Sequence, residues 1–102
     1  MKGKEFCESR IKNGKKVVIF SKSSCGFCTR VKQLFASLGL SGDDIDIIEL
    51  NERSDCAECQ DYLASITGAR SVPRVFINGK SVGGCDETMR LNSSGELKKM
   101  LQ

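Results

Sequence analysis

The sequence predicts an α/β fold, a four-stranded mixed sheet flanked by helices on both faces. Three observations carry this. Val17-Val18-Ile19-Phe20 is a short apolar run, and Ile45 to Leu50 alternates apolar and polar residues. Between them Val31, Leu34, Phe35 and Leu38 recur at helical spacing, so the three segments make a βαβ unit with parallel strands and a right-handed crossover. Two further runs, Arg74 to Ile77 and Lys80 to Val82, meet at Asn78-Gly79, a sequence suited to a type I′ hairpin turn. Helical patterns also stand before the first strand, between the second and third, and after the fourth, enough to cover both faces. At 102 residues the chain makes one domain, 1-102, with a single modest core.

In chain order, Lys4 to Asn13 places Phe6, Cys7 and Ile11 on one side of a weak helix, which Asn13-Gly14 closes in the manner of a C-cap. Strand one runs from Lys16 to Phe20. The next helix runs from about Gly26 to Leu38 and stops at Gly39; Ser41-Gly42-Asp43-Asp44 then reads as a turn. After the strand at Ile45 to Leu50, Asn51 to Asp55 is a polar loop. A helix from Cys56 to Thr67 sets Cys59, Tyr62, Leu63 and Ile66 on one face, and Gly68 ends it. Pro73, the only proline, precedes the hairpin. Gly83-Gly84 breaks its last strand, Asp86 is placed as an N-cap for a helix to about Leu91, and Ser94 to Leu101 repeats the helical pattern.

Composition narrows the function classes. A hydrophobic fraction of 39% and a charged fraction of 28% describe a soluble globular protein. The net charge of +3 is mild, and no basic run is interleaved with aromatics, so nucleic acid is not an expected partner. No apolar h-region follows Met1-Lys2-Gly3-Lys4-Glu5, and no run reaches membrane-spanning length. The expectation is a cytoplasmic, reducing setting with no membrane partner. There, six cysteines point to redox or metal chemistry before a structural disulfide framework.

The chemistry concentrates at Lys22-Ser23-Ser24-Cys25-Gly26-Phe27-Cys28. Two cysteines three apart stand where a strand ends and a helix begins. Unpaired N–H groups of a first helical turn, and the helix dipole, favour thiolate over thiol there. Lys22 adds a nearby positive charge. Cys25, at the helix start, is the candidate nucleophile; Cys28, one turn in, is the resolving partner of a thiol–disulfide exchange site.

Cys25-x-x-Cys28, Val72-Pro73 before a strand, and Gly83-Gly84-Cys85-Asp86 after a hairpin, with Thr67-Gly68-Ala69-Arg70 between, together resemble a glutaredoxin of the thioredoxin-like fold over nearly the whole chain. The resemblance implies a glutathione-dependent thiol–disulfide oxidoreductase. In it Cys25 takes the glutathionyl group from a glutathionylated protein or small mixed disulfide. A second glutathione releases it as oxidised glutathione, which a separate glutathione reductase returns with NADPH. Cys28 resolves disulfides that need two thiols. By the same resemblance Lys22, Gln60 and Arg70 hold the glycine carboxylate of glutathione and the Val72 backbone pairs with its cysteine. Gly84, Cys85 and Asp86 lie at its γ-glutamyl end, Pro73 is the family's cis-proline, and Phe27 flanks the sulfur. Lys22 and Arg70 at one end, and a helix N-terminus with Asp86 at the other, complement a tripeptide with two carboxylates and one ammonium.

The motif departs from the family pattern. Dithiol members commonly carry Pro and Tyr between the cysteines, whereas Gly26-Phe27 resembles the monothiol class. Lys22 stands three residues before Cys25, without the monothiol insertion, which favours oxidoreductase activity in a monomer. Members lacking that proline also hold a [2Fe–2S] cluster between two protomers, with Cys25 as the protein ligand and two glutathiones completing the set. A cluster-carrying or sensing dimer is therefore the alternative function. Cys56-Ala57-Glu58-Cys59 is a second CxxC, read as structural or as a secondary regulatory dithiol, with a zinc-binding module as a third possibility. Cys7 is expected in the core, and the Cys85 thiol is incidental to the use of its backbone.

Overall fold

The computed structural model describes residues 2–102. Its elements are α1 (Lys2–Asn13), β1 (Val17–Ser21), α2 (Gly26–Ser37), β2 (Ile45–Glu49), α3 (Cys56–Thr67), β3 (Arg74–Ile77), β4 (Lys80–Gly83), α4 (Cys85–Ser94) and α5 (Glu96–Leu101). The strands form one sheet in the order β2-β1-β3-β4. β1 and β2 are parallel, with Val17 opposite Ile45 and Ser21 opposite Glu49. β3 runs antiparallel to β1 and to β4. The expected α/β architecture with a four-stranded mixed sheet is the one observed.

Every residue of β1 is buried, as a central strand covered on both faces requires. Alternation then divides its side chains between two cores. Val18 and Phe20 join Phe76, Ile48, Leu50, Cys7 of α1, and Cys59 and Leu63 of α3. Val17 and Ile19 join Val75, Ile77, Val31 and Phe35 of α2, Cys85 and Leu97. The Phe20 and Phe76 rings meet edge to face at 5.7 Å between centroids, a favoured aromatic geometry.

Several local expectations shift. Leu50–Glu52 forms a 3₁₀ turn, so the loop after β2 is less open than its polarity suggested, and Leu50 leaves the strand while staying fully buried. Ile66 lies outside the buried face of α3, at 46% exposure; with α3 resting on α1 as well as the sheet, Cys59 and Leu63 fill the contact. Gly14 follows α1 without a left-handed C-cap conformation; a side chain there would run into the Arg10 carbonyl and the Val18 side chain. The Asn78-Gly79 turn behaves as expected: both residues have positive φ, 51° and 82°, as a type I′ turn needs. α4 begins two residues early, with Gly84 as N-cap and no side-chain capping bond, so Asp86 sits inside the first turn, where its charge faces the helix dipole.

Candidate functional site

Cys25 is the N-cap of α2, with extended backbone (φ −88°, ψ 117°). An N-cap side chain ordinarily accepts from the first-turn N–H groups; here the cap atom is sulfur, and Cys25 Sγ accepts from the Cys28 N–H at 3.3 Å. Burial alone would raise the Cys25 thiol. It is outweighed by hydrogen bonds from the Cys28 thiol and from the Cys28 and Phe27 N–H groups, together with the positive charge of Lys32, so the net shift is downward. Cys28 behaves oppositely. It is fully buried, and burial followed by its hydrogen bond to Cys25 pushes its thiol up, against opposing bonds from the Lys22 backbone and the Ser21 hydroxyl. One sulfur is poised as thiolate and its neighbour as proton donor, the arrangement of an attacking and a resolving thiol.

The Cys25 thiol also lies 3.8 Å from the Val72 carbonyl, to which it donates when protonated. The Val72-Pro73 peptide is cis. From that contact a cleft of about 340 Å³ opens, lined by Phe27, Ser71, Val72, Pro73, Arg74, Gly84, Cys85, Asp86 and Glu87. The fold thus gathers six expected site residues, Phe27, Val72, Pro73, Gly84, Cys85 and Asp86, around one cavity next to Cys25. The other three stand apart from its lining. The Lys22 carbonyl accepts from the Cys25 N–H at 3.0 Å. Gln60 is buried at 8% exposure and donates from Nε2 to the Arg70 carbonyl at 3.0 Å, which ties α3 to the loop carrying Val72. The Arg70 guanidinium pairs with Asp61 at 3.0 Å, both side chains well exposed. Burial pushes the Cys85 thiol up, Arg30 opposing, so this sulfur stays protonated at the cleft wall.

Two parts of the site went unread in the sequence. The charge that lowers Cys25 comes from Lys32, where the sequence suggested Lys22. Lys32 stands one turn beyond Cys28 on α2, and its Nζ contacts Glu49 Oε2 at 2.7 Å. Burial raises the Glu49 carboxyl, but Lys32 and Ser21 outweigh it and the net shift is downward, and its Oε1 is buried without a partner. The i+7 spacing of Lys32 from Cys25 was the available signal. The second is Arg74, buried at 8% exposure, bonded through Nε to the Pro73 carbonyl and lining the cleft. An arginine inside an apolar strand gives no hint of the cavity it borders.

A strand–helix junction presenting a thiol whose ionisation is shifted downward, a buried partner thiol one turn on, and a cleft beside both define a thiol–disulfide exchange protein on a four-stranded α/β scaffold. The glutaredoxin family model matches residues 17–82, and the chain belongs to the glutaredoxin family of oxidoreductases. It is 53% identical over 85 residues to glutaredoxin-C6 of Oryza sativa subsp. japonica, covering 83% of this chain and 73% of that protein. Among solved structures, the holo form of glutaredoxin C1 from Populus tremula x tremuloides superposes with a TM-score of 0.92 at 39% identity, covering 100% of this chain and 97% of the other. A buckwheat glutaredoxin–glutathione complex superposes with a TM-score of 0.91 at 40% identity, covering 98% and 87%.

Proposed function

We propose that Cys25 reduces mixed disulfides between glutathione and proteins or small thiols, with glutathione as reductant and the cleft beside Val72 as its seat. The observation that carries this is the single sulfur at the α2 N-cap that accepts the Cys28 N–H at 3.3 Å and stands 3.8 Å from the Val72 carbonyl on the cleft wall. The Cys25 thiolate attacks the glutathione sulfur of the substrate, the target thiolate leaves and takes a proton, and Cys25 carries the glutathionyl group. A second glutathione thiolate attacks that sulfur, releasing oxidised glutathione and restoring Cys25. A separate NADPH-dependent glutathione reductase consumes the oxidised glutathione. Cys28 enters only where a protein disulfide must be resolved within the chain.

Arg74 and the first turn of α4 supply positive potential on one side of the cleft, suited to a carboxylate of the tripeptide. Lys22, Gln60 and Arg70 hold the glycine end in this reading, which requires Arg70 to exchange its exposed Asp61 partner for the ligand. Exposed ion pairs are worth about 1 kcal/mol or less, so the exchange costs little. The working form is a monomer in a reducing compartment such as the cytoplasm. The test is turnover of a glutathionylated peptide in an NADPH-coupled assay: Cys25→Ser loses it, and appreciable residual turnover would reject the assignment.

The alternative is a [2Fe–2S] dimer. One thiolate per chain suits such a cluster only when two chains and two glutathiones share it. An added Cβ at Gly26 would meet nothing within 4 Å, so the position beside Cys25 is open on its own chain. Protein purified anaerobically with glutathione is then a brown dimer, and a colourless monomer retires this reading.

A further inference from the structure

The second CxxC does not pair with itself. Cys56 is half-buried and directs its thiol to Gln60 Oε1 at 3.5 Å. Cys59, one turn later, is fully buried and faces α1. Its thiol lies 3.8 Å from the Gly3 carbonyl and 3.7 Å from Asp55 Oδ1, and Cys7 of α1 packs in the same core. Cys7 is itself fully buried, and all six cysteines are free thiols in this structure. We propose that Cys7 and Cys59 form a second redox site, a reversible disulfide that staples α1 to α3 and exchanges with glutathione.

Geometry supports this in three ways. α1 and α3 approach closely at their starts: an ideal Cβ at Gly3 would stand 2.6 Å from Glu58 Cβ and 3.0 Å from the Cys59 nitrogen, and the Gly3 N–H donates to Glu58 Oε2 at 3.1 Å. Cys7 and Cys59 share one core across this junction, and the Gly3 carbonyl that Cys59 Sγ approaches lies one helical turn before Cys7, which brings the two side chains within reach of a disulfide by rotation. A cation stands at hand, because Arg53 lies 3.4 Å over the Phe6 ring and pairs with Asp55 at 2.8 Å. Burial first, with Asp55 adding to it, holds both thiols above their ordinary range, and the Arg53 charge opposes part of that rise. Access comes from α1 itself. The buried residues of α1 are Gly3 and Cys7, so a local opening of this helix, small beside global unfolding, uncovers both sulfurs.

The exchange runs in two steps. One thiolate attacks a sulfur of oxidised glutathione, expelling glutathione thiolate, which takes up the proton. The other cysteine, deprotonated, then attacks the protein sulfur of that mixed disulfide and expels the second glutathione. Two protein thiols are oxidised and one glutathione disulfide is reduced to two glutathiones. The closed loop runs from Cys7 to Cys59 and contains β1, α2 and β2, so the bond restrains the unfolded chain around the active-site motif. The proposal does not depend on the chemistry of Cys25.

Trypsin releases Cys7 within residues 5–10 but leaves Cys56 and Cys59 together on residues 54–70, so the experiment uses the full chain with Cys56→Ser. The protein is equilibrated with oxidised glutathione, its remaining thiols are alkylated, and the digest is read by mass spectrometry. Peptide 5–10 linked to 54–70, lost on reduction with dithiothreitol, is the expected result. The oxidised protein also melts roughly 10 °C higher. Cys7→Ala removes both the link and the shift and leaves turnover of glutathionylated peptide unchanged. Glutathione adducts without the link, free alkylation of Cys7, or a Cys56–Cys59 bond in the unsubstituted protein would each overturn the proposal.

Discussion

Cys25 Sγ caps the first turn of α2 by accepting the Cys28 N–H at 3.3 Å, so one contact ties helix start, nucleophile and resolving thiol together. A sulfur anion fulfils the capping role better than a thiol, because it accepts without competing to donate. Helix initiation and nucleophile activation thus reinforce each other.

The first consequence is a pH dependence. The folded Cys25 thiol ionises below its ordinary value, so the thiolate contributes to stability fully above the unfolded pKa and loses that contribution as pH falls through the lowered folded pKa. Iodoacetamide labelling of Cys25 follows the same ionisation, its rate falling to half at a pH below that of a free thiol, about 8.5. Lys32→Gln moves the midpoint upward while Lys22→Gln moves it less, because Lys32 supplies the charge that the sulfur feels. Equal shifts would contradict this assignment.

Cys28→Ser separates two reactions. Turnover of glutathionylated peptide needs one thiol and survives, whereas reduction of a protein disulfide, which needs the second thiol, falls by a factor of ten or more. Parallel assays on the two substrates read the difference, and an equal fall in both would contradict the one-thiol route.

Gly26→Pro leaves the fold intact. Gly26 is the first residue of α2, with open space where a side chain would go, and its N–H is not among the donors that lower Cys25. Proline at that helix position loses no bond and restricts the unfolded chain, so urea unfolding should give unchanged stability or a gain of up to about 1 kcal/mol. A loss beyond that range would mean that the backbone there is not proline-compatible.

Gly84→Ala has the opposite outcome. Its Cβ would stand 2.5 Å from Arg74 Nη2 and 3.3 Å from the Pro73 carbonyl. The arginine must therefore move within the cleft wall. The Michaelis constant for glutathione should rise several-fold with kcat little changed, and unchanged kinetics would remove Arg74 and Gly84 from the binding site.

Leu63→Ala tests the α3 side of the core. Leu63 is 1% exposed among Phe20, Phe76 and Cys59, and deletion of such a side chain costs about 2–5 kcal/mol, read as a fall in the urea midpoint.

Where local pattern determined structure, the sequence was legible. The apolar run at Val17-Val18-Ile19-Phe20, the helical spacing after Cys28 and the Asn78-Gly79 turn each carry a short-range physical cause, and the sheet followed from them. Cys25 and Cys28 were legible because their chemistry depends on a strand–helix junction. Lys32, Ser21 and Glu49 were not, since their contacts arise from the pairing of β1 with β2, with Ser21 beside Glu49. Arg74 was hidden for a similar reason, as a strand residue whose cleft forms only when the start of α4 packs beside it. The placement of Cys59 in one core with Cys7 depends on how α1 docks, which no spacing within α3 encodes.

The most direct measurement traps the central intermediate. Cys28→Ser protein is mixed with a stoichiometric amount of oxidised glutathione, quenched in acid, alkylated and mapped by mass spectrometry. One glutathionyl group on Cys25, discharged by added glutathione, is the predicted result. Glutathione on another cysteine with Cys25 still alkylated, or no adduct at all, would contradict the assignment of Cys25 as the group that carries glutathione.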